Sequence, residues 1–292
     1  MDLLVAWEWA FDEPFVRRLL AEASAAGLDA CDVRGEAIAT CADRVRSSLH
    51  APRVLVDRAS DVDPEAARLA RLSSILGSRV LNDPDRIEDA DDKATMHLKL
   101  MSAGVHVPWT ILLPPLAEGT PRDLDALSNV GCPFVIKPAH GGGGDGVVLC
   151  ASADSDVHQA RSEREDKFLV QELVVPADLA GRPAYFRVLH CLGDVHPCFW
   201  DPTTRLYAAV SADDRGAAWC RELERVAAVT ASVSGMDLFS MEVAIDAAGV
   251  AISVDYLNDM CDLRPASGAA DGVPDAVVDA IARRVVAIAR QP

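Results

Sequence analysis

The sequence predicts an α/β protein: a small parallel α/β unit followed by a two-lobed α+β body. Three observations carry this. Through the first third, short apolar strands alternate with amphipathic helices, the pattern of a parallel sheet with helices on its faces. Later apolar strands come in pairs around short polar turns, the pattern of antiparallel hairpins. Between the two lies the sharpest change of composition, the polar run Asn82 to Asp92.

Leu3 to Ala6 is the first strand, and Glu13 to Ala26 the first helix, closed by Gly27. Arg53 to Val56 is a strand, Pro64 to Leu76 a helix stopped by Gly77, and Val80-Leu81 leads into Asn82-Asp83-Pro84. Ligands of such sheets bind at the carboxyl ends of strands, where Trp7-Glu8-Trp9 and Asp57-Arg58 lie. Capping and packing are the simpler account of both. Asp91-Asp92-Lys93 opens a helix that runs to Ala103. The aspartates suit the helix dipole; Lys93 opposes it, which hints at an anionic partner. Pro108 to Leu113 is a strand, Leu124 to Asn129 a short helix, Asp154 to Arg164 a polar helix and Lys167 to Val175 a strand. Ala184 to Leu192 and Val195 to Trp200 form a hairpin across Gly193-Asp194. A helix from Ala217 to Ser234 follows, then a second hairpin of Phe239 to Ile245 with Val250 to Leu257. Pro274 to Arg290 is the closing helix.

The 292 residues suffice for two or three compact units, and half of them are hydrophobic. A net charge of −17 argues against a nucleic-acid or anionic-membrane binder, because either needs a basic face. Eight scattered cysteines show no C-x-x-C spacing, and several sit within apolar runs where free thiols would be buried, which suits a reducing cytoplasm. The amino terminus has no basic n-region, and no stretch of 18 apolar residues occurs. A homo-oligomer is left open.

The stretch most specific for chemistry is Phe134-Val135-Ile136-Lys137-Pro138-Ala139-His140-Gly141-Gly142-Gly143-Gly144-Asp145-Gly146-Val147-Val148-Leu149. An apolar strand ends on a lysine, a glycine loop follows, and a second strand leaves it. Glycines let backbone N–H groups approach an anion, and the lysine sets a cation beside it. Gly141, Gly143 and Gly146 formally satisfy a dinucleotide fingerprint, but that motif must open a helix. A P-loop fails too, since Val147 stands at the lysine place. The loop reads as a phosphate-covering flap.

Four further features line up with it. Lys93 heads a helix. Phe168 to Val175 is an apolar strand whose backbone can read an adenine edge. Arg187 and Arg205 lie on or after strands of the following hairpin. Glu242, Asp255 and Asn258 lie on the last two strands, where carboxylate and amide oxygens suit Mg²⁺.

In this order and spacing the features resemble the ATP-grasp superfamily, over roughly Asn82 to Ser267. Within it the chain looks most like the glutathione-synthetase-like carboxylate–amine ligases, including ribosomal-protein glutamate ligases. The resemblance implies an α+β grasp in three parts. Residues 1–90 would be the preceding α/β domain, residues 91–175 the lid lobe with the flap, and residues 176–292 the lobe with the Mg²⁺ and substrate site. It implies ATP phosphates on Lys93 and Lys137 under Gly141, Gly142, Gly143 and Gly144. Adenine would lie along Gln171, Glu172, Leu173 and Val174, with ribose on Asp178. Arg187 and Arg205 would stabilise the transferred phosphoryl group. Mg²⁺, with Mn²⁺ as a substitute, would sit on Glu242, Asp255 and Asn258, and a substrate carboxylate near Arg264 and Ser267. The implied reaction joins a small-molecule carboxylate to an amine through an acyl-phosphate, between two molecules or within one. A small-molecule kinase and a non-catalytic ATP-binding module are the alternatives.

One departure stands out. The family has one residue between the acid and the asparagine of the last metal strand; here two separate Asp255 from Asn258. Strand alternation would then turn them to opposite faces and give Tyr256 the acid's place. A β-bulge would restore Asp255, or Asp259 would contribute instead.

Overall fold

The computed structural model describes residues 1–118, 127–179 and 181–291. Strands β1 (Leu3–Trp7), β2 (Ala30–Val33), β3 (Val54–Arg58) and β4 (Arg79–Leu81) form a parallel sheet in the order β2-β1-β3-β4. Helices α1 (Glu13–Ala25), α2 (Glu36–Ser48) and α3 (Pro64–Ile75) connect them. The sequence reading passed over β2 and α2. β2 is an edge strand of Ala-Cys-Asp-Val with no apolar run, and periodicity detects such strands poorly. Asn82 to Asp92 is also more ordered than a linker. Asp83 accepts a hydrogen bond from the Asp85 amide at 3.1 Å and opens α4 (Pro84–Asp91), which runs into α5 (Lys93–Ser102).

A second, antiparallel sheet has the order β5-β8-β6-β7, from β5 (Thr110–Leu113), β6 (Phe134–Pro138), β7 (Val148–Ala151) and β8 (Phe168–Glu172). Helices α6 (Leu127–Val130) and α7 (Asp154–Ser162) belong with it. The first three residues of the expected Leu124 to Asn129 helix lie outside the described residues.

The third sheet is antiparallel, in the order β11-β10-β9-β12-β13. It comprises β9 (Tyr185–Cys191), β10 (Asp194–Asp201), β11 (Leu206–Ala209), β12 (Leu238–Ile245) and β13 (Ala251–Asn258). Helix α8 (Ala218–Ser234) covers one face with Leu223, Val226 and Ala227 against Phe186, Val188, Met241 and Val243. The closing helix α9 (Asp275–Ala289) returns to the first sheet. Its Val278, Ile281 and Val285 share a core with Leu3, Val5 and Leu19. Among the described residues, no helix is long and apolar enough to cross a membrane.

Candidate active site

β6 delivers Lys137 to the rim of its sheet and turns into the glycine loop. Gly141 has φ 98° and Gly143 φ 67°, left-handed values that favour glycine. The Lys93 amide donates to the Ala139 carbonyl at 2.9 Å, and its ammonium donates to the Gly141 carbonyl. Lys93 therefore reaches away from its own helix dipole to the root of the loop. Beside it, Asp92 caps α5 and pairs with Lys167. Burial opposes its ionisation, but hydrogen bonds from Lys167 and Thr95 hold the Asp92 carboxyl at about 2. Arg205 follows a turn organised by Asp201, adopts φ 59°, and donates to the Gly143 carbonyl at 3.3 Å.

The Lys137 side chain crosses from the second sheet to the third. Its ammonium donates to the Val254 carbonyl at 2.8 Å and lies 5.1 Å from the Tyr256 ring centroid. Burial lowers its pKa; Asp255 opposes this, Lys93 reinforces it and Glu242 opposes it.

The register of β12 and β13 answers the spacing question. Ser240 lies opposite Asn258, Glu242 opposite Asp255, and Val243 opposite Ser253. β13 thus uses three residues where β12 uses two, then two where β12 uses one. Directly paired residues share a sheet face, so Asp255 stands with Glu242. Alternation along β12 puts Ser240, and hence its partner Asn258, on that face too. Tyr256 is fully buried in the core that includes residues of α5.

Glu242 is held from β9. Arg187, its direct partner there, approaches one carboxylate oxygen at 3.0 Å, and the Tyr185 hydroxyl donates to the other at 2.8 Å. Burial pushes the Glu242 carboxyl above the usual carboxylate range, with Arg187 pulling against it. Burial disfavours the Arg187 charge, but Glu242, Tyr207 and Asp255 together outweigh it and keep the guanidinium protonated. Asp255 Oδ1 is buried and accepts no hydrogen bond. An orphaned carboxylate oxygen beside a pinned carboxylate and an amide fits Mg²⁺, which fills the rest of its shell with water and phosphate oxygens. Among the described residues, no group of three or more His, Cys, Asp or Glu side chains is placed to hold a metal alone.

Other expected residues are placed differently. The Gln171 side chain donates to Thr110 Oγ1 at 2.9 Å and to the Tyr256 hydroxyl at 2.7 Å, and its backbone is paired between Thr110 and Val135. Glu172 accepts from the Trp109 amide at 2.8 Å. Leu173 is exposed and Val174 half-buried beyond the end of β8. Asp178 caps a turn by accepting from the Gly181 amide at 2.7 Å. Ser267 bonds Asp275 and Arg18, and Arg264 is engaged by Asp262 and Asp271.

Sequence reasoning missed three contributors, Tyr185, Tyr207 and His97, and left the partner of Arg58 unnamed. Tyr185 lies two residues before Arg187 on the same strand face, so alternation could have found it. Tyr207 lies beside Arg187 and helps to keep its guanidinium protonated. His97 Nδ1 faces the Tyr256 hydroxyl at 2.7 Å; burial, aided by the Lys137 charge, lowers its pKa to about 4. Arg58, buried with Asp12 at 2.8 Å, donates to the Cys261 carbonyl at 2.9 Å and ties the first sheet to the loop after β13. Packing is thus the role of Asp57-Arg58 that the structure supports.

No protein-family model matches the chain, and no curated protein matches it in sequence. Solved structures do match. The RimK domain protein ATP-grasp from Sphaerobacter thermophilus DSM 20745 superposes with a TM-score of 0.65 at 18% identity, over 99% of each chain. ATP-grasp ligase PsnB complexed with minimal precursor, Mg and ADP gives 0.65 at 15% identity, again over 99% of each chain. D-alanine–D-alanine ligase from Bacillus anthracis complexed with ATP gives 0.69 at 10% identity, over 98% of this chain and 96% of that one. Three sheets in this order, a glycine loop over two lysines and an acidic hairpin opposite them make this chain a protein of the ATP-grasp fold.

Proposed function

We propose that the chain is a Mg·ATP-dependent ligase that joins a carboxylate to an amine. The observation that carries this reading is the shared face of Glu242 and Asp255, bounded by Arg187 and reached by Lys137 from the glycine-loop strand. Residues 1–90, 91–175 and 176–292 would serve as the leading domain, the lid lobe and the catalytic lobe.

Lys93 and Lys137 would meet the phosphates as point charges, exchanging their present carbonyl acceptors for phosphate oxygens. The loop Gly141 to Gly144 would close over them and exclude water. The backbone from Gln171 to Val174 would line the adenine slot. Glu242, Asp255 and Asn258 would hold Mg²⁺, which when bound neutralises phosphate charge, including the charge that develops in transfer. A substrate carboxylate oxygen would attack the γ-phosphorus, with Arg187 and Arg205 stabilising the moving phosphoryl group while ADP leaves. The amine nitrogen would then attack the acyl carbon, phosphate would leave, and the nitrogen would lose a proton. The eight free thiols suit a reducing cytoplasm.

The test is an ADP-release screen with Mg·ATP against amino acids and amines, followed by product analysis. Free phosphate plus an amide is expected, with ADP formation abolished by Glu242→Ala. A phosphorylated product would mean a kinase, and nucleotide binding without turnover a non-catalytic module.

A further inference from the structure

Trp9 and Phe11 follow β1 and remain 44% and 58% exposed, with ring centroids 5.2 Å apart in an edge-to-face contact. Large apolar groups left together in solvent mark binding surfaces more often than isolated ones do. The Arg264 guanidinium lies 5.7 Å from the Trp9 centroid and 5.8 Å from that of Phe11.

Arg264 was expected to take a substrate carboxylate. Its Nε and Nη2 donors are already engaged. Nε reaches both Asp262 oxygens at 3.0 and 2.9 Å, and Nη2 reaches Asp262 at 2.6 Å and Asp271 at 2.9 Å. With its charge compensated, it supports the two rings instead of reading an anion. The loop that carries it is tightly folded. The Val273 amide donates to the Arg264 carbonyl at 2.7 Å, and a Cβ on Gly272 would meet backbone atoms at 2.7 Å. The ring side is anchored as well, because Asp12 adjoins Phe11 and pairs with Arg58, which holds the Cys261 carbonyl.

This platform adjoins the end of the metal strand. The loop that carries Arg264 begins where β13 ends at Asn258, and it meets the two rings that follow the carboxyl end of β1. Two aromatic faces over a compensated arginine favour an apolar body over a charged one.

We propose that Trp9 and Phe11 form the recognition platform for the carboxylate substrate, an amino acid with an aromatic or large aliphatic side chain. This deepens the ligase reading and rests on it.

The test measures ADP release and hydroxamate formation by the full chain with Mg·ATP, single L-amino acids and hydroxylamine as the amine probe. Phenylalanine, tryptophan and leucine are expected to support turnover, and glycine, aspartate and lysine to fail. Trp9→Ala and Phe11→Ala should each raise KM for phenylalanine about tenfold or more, with kcat changed by less than about twofold. The Mg·ADP thermal shift of both variants should match the parent, which shows that they fold and bind nucleotide. Preference for small or charged amino acids, or a KM that neither substitution moves, overturns the proposal. Absence of turnover with every amino acid, in a protein that shows the Mg·ADP shift, overturns the amino-acid class alone. Absence of that shift overturns the ligase reading with it.

Discussion

Asp255 stands directly across from Glu242 because β13 carries two more residues than β12 over their paired stretch. The extra residues turn Tyr256 inward and leave Asp255 Oδ1 buried without a hydrogen bond. A strand normally avoids both features, since a bulge breaks the ladder and an orphaned acceptor is costly. Their coincidence on one face is what a cation would repay.

Tyr185 holds the second oxygen of Glu242, so its hydroxyl should matter more to metal than to folding. A hydrogen bond to a charged group is worth about 1.5–3 kcal/mol. Tyr185→Phe should therefore raise the Mg²⁺ concentration needed for half-maximal ADP binding about tenfold, by titration calorimetry. The midpoint of thermal unfolding should change little. An unaltered Mg²⁺ requirement would show that Arg187 alone positions the carboxylate.

Lys137 is a buried cation whose pKa burial depresses, so it costs stability in the free protein. Lys137→Met keeps most of the stem and removes the charge. Thermal unfolding should stay level or move upward, while ADP binding weakens by about 2–5 kcal/mol. Lower stability together with unimpaired ADP binding would make the lysine structural.

Arg58 and Asp12 form an ion pair with both side chains 2% exposed. Arg58→Met would leave Asp12 uncompensated, and breaking such a pair costs about 3–5 kcal/mol. Urea denaturation should show this loss, and adding Asp12→Leu should restore much of it. A small loss in the single variant would contradict the linkage between the first sheet and the loop after β13.

How much of this was legible beforehand varies by residue. Lys93, Lys137 and Glu242 could be found because each breaks a local rule, a cation at a helix start or a charge ending or interrupting an apolar strand. Helices α1, α3, α8 and α9 were legible by the period of their apolar residues, whereas α2, which turns only Ile38, Ala42 and Val45 inward, was not. The edge strand β2 was not, because Ala30 to Val33 has no alternation to read. The partners of Arg264, Asp262 and Asp271, were not legible because they meet it only through the fold of the loop. The bulge could be named as a need but not located, since its register depends on Glu242 across the sheet.

His97 supplies a pH dependence whose sign is fixed. Its folded pKa of about 4 lies below its ordinary 6.5, so protonation favours the unfolded chain. The stability it contributes is complete above pH 6.5 and is lost as pH falls toward 4. The loss should be about 2 kcal/mol in unfolding free energy, and His97→Gln should flatten that part of the profile. A parent profile already flat over this window would contradict a neutral His97 against Tyr256.

The central claim is that the Glu242–Asp255 face takes the metal of a Mg·nucleotide complex. Titration calorimetry of ADP with and without Mg²⁺ tests it most directly, on the parent protein and on Glu242→Ala, Asp255→Ala and Asp259→Ala. Tighter ADP binding with Mg²⁺ is expected in the parent and in Asp259→Ala, and not in the other two. A Mg²⁺ advantage that survives both Glu242→Ala and Asp255→Ala would contradict it.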